Sequence, residues 1–444
     1  MEATCDPVYL NATAVIGGGV IGLMAALKLS GVGDKVVLLD KVKGSLPKFQ
    51  GELLHPIAID IFSDLGLSHF LNKHRVTNLK GFRIVSKDVE PHIIVDHSDS
   101  KMSCVIDHQG LVADLLLEVH KNRDIQCKYI NSLGLDKDKC VRFASENGET
   151  TECYKFSRII GADGRNSTVR STVAPTCNSS PEISKMLPLT LHGCNFHCGS
   201  RGHIFIGDYG SLLLYRVGEN TFRCLVDVPS IVDGENVSIQ GLLDNYHGIL
   251  PCEVKHAFIQ SLTNVDMKRD WLSINRLSRF TVKDPLITLI GDAAGYSHPL
   301  TATGITNGLL DVRALEQRAN HINIHGHRIS ESLCADVFSQ IIFTVFSKNT
   351  AANLSIKKSL GYCTRKSNAC SEYALKIMCL EEPSLIRLGE FLSKIALHAI
   401  RMNIASFSLR NIKQLCTEIY QYFKYFYWVF KAFIQKFKLK LYLN

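Results

Sequence analysis

The chain lacks any long uncharged apolar segment. No stretch of its 444 residues reaches the roughly 18 uncharged apolar residues that a membrane-spanning helix needs. The sequence also lacks low-complexity tracts and internal repeats, which excludes a solenoid or a repeat array. With 46% apolar and 21% charged residues, the composition is that of a globular protein, and the length suits about two or three domains with a large core.

Regular disulfide-type cysteine spacing and a signal peptide are absent as well. The fifteen cysteines are odd in number and scattered, so we expect reduced thiols in a cytosol-facing protein. No metal site is expected either. The histidine and cysteine residues between His192 and Cys198 are too close together on a strand to converge on zinc, because alternate side chains point to opposite faces.

The net charge of +8 is concentrated near the end of the sequence. Segment 401–444 contains eight lysine and arginine residues and one glutamate, so the remainder of the chain is nearly neutral. A nearly neutral body argues against a nucleic acid partner, whereas a basic tail indicates a partner of its own.

A glycine-rich fingerprint stands near the start of the chain. Gly17, Gly19 and Gly22 follow a short apolar strand and open a helical pattern, and a second strand ends at Asp40. Such glycines allow the backbone to approach a pyrophosphate, and an acid about 18 residues later suits a ribose hydroxyl. The pattern predicts a dinucleotide site.

Two further junctions place an aspartate at the end of an apolar strand. One ends at Asp163-Gly164, and the other, 286–290, ends at Gly291-Asp292 before a helix predicted over 305–315. Ligands of open α/β sheets collect at the carboxyl ends of the strands, and a helix N-terminus favours negative charge. We therefore expect the three junctions to share one cofactor cleft.

Between the second and third junctions, the pattern changes to short strands separated by turn residues. Strands are predicted at 203–207, 211–215 and 223–227, which is typical of an antiparallel meander. We interpret this segment as an insertion that covers the cofactor sheet and supplies one wall of an apolar pocket.

Together these residues resemble the group A flavin monooxygenases, which share the fold of para-hydroxybenzoate hydroxylase. Within that group they are most similar to the squalene monooxygenases (squalene epoxidases). The resemblance runs from about Val15 to Leu315. It is carried by the glycine fingerprint with Asp40 and by the segments 51–56 (GELLHP), 223–229 (RCLVDVP), 291–293 (GDA) and 298–301 (HPLT).

The resemblance implies an α/β fold: a Rossmann-type FAD-binding domain with an inserted antiparallel substrate sheet and a C-terminal helical, membrane-associated region. The implied division has the FAD-binding domain in three parts, 10–75, 101–175 and 283–330, with substrate-domain segments at 76–100 and 176–282 and the helical region at 331–444.

It also implies which residues contact the cofactor and the substrate. His298 would lie close to the flavin and is the candidate catalytic residue, although a loop hydrogen bond is the simpler role for it. Leu213, Tyr215 and Pro299 would line the substrate pocket. With the residues inferred above, the expected FAD-binding positions are Gly17, Gly19, Val20, Ile21, Gly22, Asp40, Lys41, Lys48, Leu53, Asp163, Gly291, Asp292, Gly304 and Ile305.

Several positions depart from the family pattern. Ala302-Thr303 replaces the first two of three glycines, His55 stands where the family has glutamine, and Lys41 and Lys48 replace arginines. The change from arginine to lysine removes bidentate contacts. The Ala302-Thr303 replacement keeps a non-catalytic flavoprotein among the alternatives.

The C-terminal third is predicted to be helical, with breaks near Gly361 and at 381–383. In 419–443, Lys424, Lys431 and Lys438 recur every seven residues and therefore share one helix face, with phenylalanines 423, 426, 430 and 433 expected toward another. A basic aromatic helix without a span is typical of an interfacial membrane anchor. The alternatives are a helix packed on the protein's own body or one that binds a partner protein.

The predicted function is an FAD-dependent monooxygenase that inserts one oxygen atom from O₂ into a lipophilic isoprenoid alkene, with squalene epoxidation in sterol or triterpenoid biosynthesis as the leading hypothesis. NADPH would supply electrons, directly or through an NADPH-dependent reductase. The protein would face the cytosol on a membrane, the endoplasmic reticulum in a eukaryote. The alternatives are a ring hydroxylase of a polyprenylated aromatic, a meroterpenoid epoxidase and a flavin-dependent reductase of prenyl double bonds.

Overall fold

We describe the protein from a computed structural model of the chain. The structure describes residues 8–41, 52–98, 101–136, 138–145, 151–175, 181–232, 238–266, 269–280, 282, 284–315, 321–348, 350–381, 383–405 and 412–443.

The strands of the described residues form three sheets. The strands that the sequence predicted at 36–39 and 286–290 are present within one residue of the expected bounds, and the strand predicted at 14–16 is the end of a longer strand that begins at Val8. The strands are β1 Val8–Ile16, β2 Val36–Asp40, β3 Leu53–Leu54, β4 Arg75–Leu79, β5 Gly81–Ser86, β6 Val89–Asp96, β7 Ser103–Ile106, β8 Ile125–Leu135, β9 Cys140–Ser145, β10 Thr151–Gly161, β11 Ser184–Leu191, β12 Arg201–Ile206, β13 Ser211–Gly218, β14 Thr221–Pro229, β15 Leu272–Ile274 and β16 Ile287–Leu289.

The helices cover the sheets and form the C-terminal third. Two short 3₁₀ turns, Gly291–Ala293 and Pro299–Thr301, precede α8. The helices are α1 Val20–Gly31, α2 Pro56–Asp64, α3 Ser68–His74, α4 His108–Lys121, α5 Thr168–Val173, α6 Ile239–Tyr246, α7 Cys252–Leu262, α8 Gly304–Arg313, α9 His321–Ser347, α10 Ala351–Lys366, α11 Asn368–Met378, α12 Leu385–Ala405 and α13 Ile412–Leu443.

The first sheet is of the nucleotide-binding type. Strands β16, β10, β1, β2 and β8 pair in parallel in that order, and β9 pairs antiparallel with both β8 and β10. Val36–Leu39 of β2 are buried, as expected for a parallel strand covered on both faces. The carboxyl ends of β1, β10 and β16 meet at one edge, so the three predicted junctions lie together there.

The second sheet has seven strands in the order β15-β11-β14-β13-β12-β5-β6. The predicted meander forms its antiparallel centre. The sheet is nevertheless mixed, because β12 pairs in parallel with β5. Strand β4, at 75–79, lies outside the second sheet. It pairs with β7, which also pairs with β3, in a small third sheet.

The helices α9 to α13 pack on the second sheet. Phe82 and Ile204 of the sheet share one apolar core with Phe338 and Phe391 of the helices. The predicted break near Gly361 was wrong, because α10 continues through this residue. A Cβ on Gly361 would lie 3.2 Å from Ile93 Cγ1 of β6, so the glycine permits close helix–sheet contact rather than a turn. The break expected at 381–383 separates α11 from α12.

Lysines and phenylalanines of α13 are exposed on adjacent parts of the helix surface, because neighbouring residues lie about 100° apart around the axis. Phe426 packs against the apolar core, but Phe423 and Phe430 are 69% and 60% exposed and lie next in sequence to the exposed Lys424 and Lys431. The outer face of α13 therefore carries aromatic rings and lysines together. Among the described helices, none combines the length and apolarity that crossing a membrane would require. Nothing in the fold shows that this helical region associates with a membrane.

Candidate cofactor site

A cleft of about 260 Å³ opens where the parallel strands end. Residues that follow the strands of the first sheet line one end, and the second sheet forms the opposite wall. Residues predicted from the sequence that line the cleft are Gly19, Val20, Ile21, Leu53, Leu213, Tyr215, Gly291, Asp292, His298, Pro299, Gly304 and Ile305.

The glycine fingerprint forms the tight turn between β1 and α1. Gly17 has a φ of +111°, and a Cβ there would lie 2.5 Å from the Ala162 oxygen of the neighbouring strand. A Cβ on Gly22 would clash with the Gly17 carbonyl, whereas around Gly19 there is open space. Gly19 has no side chain to cap α1, so the first N–H groups of the helix remain available to a phosphate.

Asp40 ends β2 next to this turn. Its carboxylate lies against Gly18, where a Cβ would clash with it. This position suits a ribose at the edge of the cleft, although Asp40 and the exposed Lys41 do not line the cavity itself. Lys48 lies outside the described residues.

The second junction has a structural role at Asp163. The Asp163 carboxylate accepts hydrogen bonds from the Thr168 and Val169 N–H groups at 2.7 and 3.2 Å and from the Ser167 hydroxyl, so it caps the start of α5. Its neighbours Ala162 and Gly164 line the cleft instead. Cofactor binding by Asp163 remains a prediction.

The third junction is organised by an ion pair that sequence reasoning missed. Arg279 and Asp311 are buried and paired, and Asp311 accepts the Gly291 N–H at 2.8 Å. Because this pair holds the turn, the Asp292 carboxylate is left to face the cleft, where Arg165 Nε lies 3.4 Å away. The only sequence signal for Asp311 was its place within the predicted α8 helix.

His298 is fixed at the end of the cleft by three contacts. The Leu300 N–H donates to its Nδ1 at 3.2 Å, so Nδ1 acts as a hydrogen-bond acceptor. Nε2 lies 3.1 Å from the Ser184 hydroxyl and 3.3 Å from Asp227 Oδ1. The loop hydrogen bond expected as the simpler role is present, and a catalytic role stays a prediction.

A buried charged cluster joins the segment before β3 to strands β13 and β14 of the second sheet. Glu52 accepts two hydrogen bonds from Arg223, at 2.7 and 2.9 Å, and one from the Tyr215 hydroxyl at 3.0 Å. Burial, with the adjacent Glu52 charge, raises the pKa of Tyr215 well above its usual value, so the phenol stays a neutral donor. Sequence reasoning missed this cluster, although Glu52 and Arg223 both belong to family-like segments.

These features fit FAD. The open space at Gly19, the uncapped N-termini of α1 and α8, and the acid at the end of β2 provide for a pyrophosphate, a ribose and an electron-rich ring system. Beyond them, Met186, Leu225 and Ile274 supply an apolar wall. This wall would shield a reacting group in the cleft from water on the side of the second sheet.

Comparison with known proteins supports the same assignment. Residues 11–321 match a protein family described as FAD binding domain, which is more than two thirds of the chain. The chain belongs to this family. The predicted FAD-binding domain is therefore confirmed, whereas NADPH is not tested by any of these observations.

Known proteins similar in sequence to this chain include squalene epoxidases. Squalene epoxidase 3 of Arabidopsis thaliana is 25% identical over 325 residues, which cover 69% of this chain and 59% of that protein. Squalene epoxidase erg1 of Aspergillus fumigatus is 25% identical over 322 residues, covering 68% of this chain and 64% of that protein. The resemblance inferred from the sequence is confirmed, while the chain matches less than two thirds of the length of these relatives.

Solved structures with the same fold include FAD-dependent monooxygenases. A probable FAD-dependent monooxygenase of Pseudomonas aeruginosa, PqsL, superimposes with a TM-score of 0.56 at 16% identity, covering 87% of this chain and 100% of its own. The p-nitrophenol 4-monooxygenase PnpA of Pseudomonas putida gives 0.57 at 17% identity, covering 87% and 98%. At these identities the likeness shows the fold alone.

Proposed function

We propose that this protein is an FAD-dependent monooxygenase that inserts one oxygen atom from O₂ into an alkene of a lipophilic isoprenoid, with squalene as the leading substrate. The observation that carries the substrate class is a second, apolar cavity directly behind the cofactor cleft. It lies between the second sheet and the C-terminal helices and is lined by Phe82, Ile84, Ile204, Leu300, Phe338 and Phe391, among others.

One loop separates the two spaces. Leu300 lines the apolar cavity, while its neighbours His298 and Pro299 line the cofactor cleft. A long hydrocarbon could therefore occupy the apolar side and present one double bond to the cofactor side. The burial of such a chain is favourable by about 25 cal/mol for each Å² of apolar surface.

Bound FAD would supply the oxygen activation, and the protein would bind, orient and shield the reactants. The N-terminus of α8 would stabilise negative charge on the reduced ring. The apolar wall would exclude water, and no acid–base pair is needed for an electrophilic oxygen to add to an alkene. Electrons would come from NADPH, directly or through an NADPH-dependent reductase.

The test is an activity measurement on the whole chain purified in detergent. With bound FAD, NADPH and squalene, with or without an added reductase, we expect O₂ uptake and a product heavier by one oxygen atom. Squalane, which has the same carbon skeleton without double bonds, is the control and should yield no oxygenated product.

Three results would contradict this function in different ways. Purified protein that never binds flavin would exclude the enzyme. NADPH consumption with a hydrogenated product and no O₂ uptake would identify a reductase of prenyl double bonds. Oxygenation of a prenylated phenol but not of squalene would identify a ring hydroxylase of polyprenylated aromatics.

We also propose that α13 lies on a cytosol-facing membrane surface. Its outward face combines Tyr420, Phe423, Tyr427 and Phe430, all at least 60% exposed, with exposed lysines. Aromatic rings favour the headgroup region and lysines favour anionic lipids, so their coincidence supports an interfacial helix. Such a location would bring an apolar substrate to the helices that border the apolar cavity.

A further inference from the structure

The loop between the two cavities contains a strained residue. Ala302 adopts φ +52° and ψ +27°, a left-handed conformation that costs an alanine free energy and a glycine almost none. The family pattern has glycine at this position, and here Ala302 nonetheless keeps the conformation that a glycine would adopt freely. Neighbouring contacts must therefore stabilise it.

Both polar groups of the peptide that joins Thr301 to Ala302 are hydrogen-bonded. The Thr301 carbonyl accepts a hydrogen bond from His55 Nε2 at 2.8 Å, and the Ala302 N–H donates to the Pro299 carbonyl at 2.9 Å. Rotation of this peptide would change φ of Ala302 and relieve the strain, but it would break both bonds. The His55 bond is completely buried, so its loss would leave a carbonyl without a donor.

We propose that His55 is a positioning residue that holds the 301–302 peptide in the orientation required by the FAD site and thereby compensates for alanine at position 302. The proposal rests on the FAD site and is independent of the identity of the substrate. Ala302, Thr303 and Gly304 all line the cleft and lead into the N-terminus of α8, so the orientation of this peptide sets the shape of the flavin end.

The surroundings of His55 select the required tautomer. Its Nδ1 lies 3.2 Å from Cys379 Sγ and 3.5 Å from Ser103 Oγ, and either can donate to it, which leaves the proton on Nε2. Burial lowers the pKa of His55 to about 4, so the ring is neutral near neutral pH. Ser103 also contacts His97 Nε2 at 2.8 Å.

Cys379 follows the last residue of α11, so His55 also connects the C-terminal helices to residues 298–303, which we call the cofactor loop. The helical region and the FAD site are therefore joined by a chain of buried contacts rather than by apolar packing alone. Loss of the imidazole would remove the hydrogen bond to the Thr301 carbonyl and, with it, the connection to Cys379.

The experiment is a double-mutant cycle that measures the dissociation constant of FAD from the apoprotein by flavin fluorescence. His55→Met removes the donor at similar volume, and we expect it to weaken FAD binding about tenfold. His55→Gln retains a donor, as in the family pattern, and should bind within about twofold of the wild type. In an Ala302→Gly background, His55→Met should weaken binding by less than about threefold, because glycine adopts the left-handed conformation without support.

If His55→Met weakens FAD binding by the same factor in the wild-type and Ala302→Gly backgrounds, the proposal is overturned. It is also overturned if the His55→Met single variant binds FAD as tightly as the wild type. If His55→Met alone does not fold, recovery of folding and FAD binding in the double variant supports the proposal, and failure of the double variant overturns it. Urea unfolding of each apoprotein separates a general loss of stability from an effect on the cofactor loop. None of these measurements uses a substrate, so their outcome is distinguishable from failure of the proposed oxygenation.

Discussion

At the scale of single residues, the same sequence pattern serves two different purposes in this fold. Asp163 and Asp292 each follow an apolar strand that ends at one edge of the sheet. Asp163 uses its carboxylate to cap α5, while the Asp292 carboxylate faces the cleft because Arg279 and Asp311 already hold its turn. An aspartate stands at the end of the strand in both cases. Whether its carboxylate is available to a ligand depends on whether neighbouring backbone N–H groups already bind it.

This difference predicts opposite effects of two matched substitutions. Asp292→Ala should abolish retention of FAD during purification and change the stability of the apoprotein little. Asp163→Ala should destabilise the apoprotein by about 1–2 kcal/mol through loss of the helix cap, and its FAD affinity, corrected for the folded fraction, measures whether the carboxylate also binds the cofactor. Flavin absorbance for each purified variant and urea unfolding of the apoproteins provide the two measurements. Normal flavin content in Asp292→Ala would refute the site assignment.

At the scale of elements, α13 shows what periodicity alone can and cannot predict. A seven-residue spacing correctly places Lys424, Lys431 and Lys438 on one face. It did not indicate which aromatic residues would be exposed, because this depends on which side of the helix packs on α9 and α12. Tyr422 and Tyr425 are buried there, and Phe423 and Phe430 are left outside.

The exposed face of α13 predicts binding to anionic vesicles. Replacing Phe423 and Phe430 with serine, or Lys424 and Lys431 with glutamate, should each reduce cosedimentation with phosphatidylserine-containing vesicles at least tenfold, because each removes one component of interfacial binding. High salt should weaken the wild type and the serine variant but change the glutamate variant little.

A matched control is Lys121→Glu with Leu117→Ser on α4, where both side chains are exposed on the FAD-binding domain. This pair should leave vesicle binding unchanged. If the α13 variants also bind like the wild type, the interfacial role of the helix is refuted.

At the scale of the whole molecule, the chain buries neutral histidines in separate parts of the fold. His55 contacts the Thr301 carbonyl, His97 contacts Ser103, and His203 lies in the second sheet between Phe196 and Phe205. Burial lowers the pKa of each to about 4 from an ordinary value near 6.5. Since the unfolded chain binds these protons at a higher pH than the folded chain, acid favours unfolding.

The free energy of unfolding should therefore decrease from pH 6.5 toward pH 4. His203 contributes up to about 1.4 kcal/mol per pH unit to this decrease. Its contribution to the free energy of unfolding is fully present above pH 6.5 and is lost as the pH falls toward 4. In His203→Leu, the decrease between pH 7 and pH 5 should be smaller than in the wild type by up to about 2 kcal/mol, measured by urea unfolding. His120→Leu, an exposed position, is the control and should keep the wild-type dependence. An unchanged pH dependence in His203→Leu would contradict this account.

The amino-acid sequence by itself determined the local elements and their ligand type. The spacing of Gly17, Gly19 and Gly22 between two apolar strands, with Asp40 after the second, predicts a dinucleotide turn because short-range backbone sterics and hydrogen bonding require those residues there. The strand at 286–290 and the helix that follows were predictable for the same reason, since their signals are periodic and local.

Only the tertiary structure decided which side chains would act together. Glu52 meets Arg223, Arg279 meets Asp311, and His55 meets the Thr301 carbonyl across separations that no local pattern encodes. The parallel pairing of β12 with β5 and the outward face of α13 depend likewise on the packing of distant segments. Buried polar groups must find partners wherever the fold brings them, so these pairings follow from burial and long-range contact rather than from spacing along the chain.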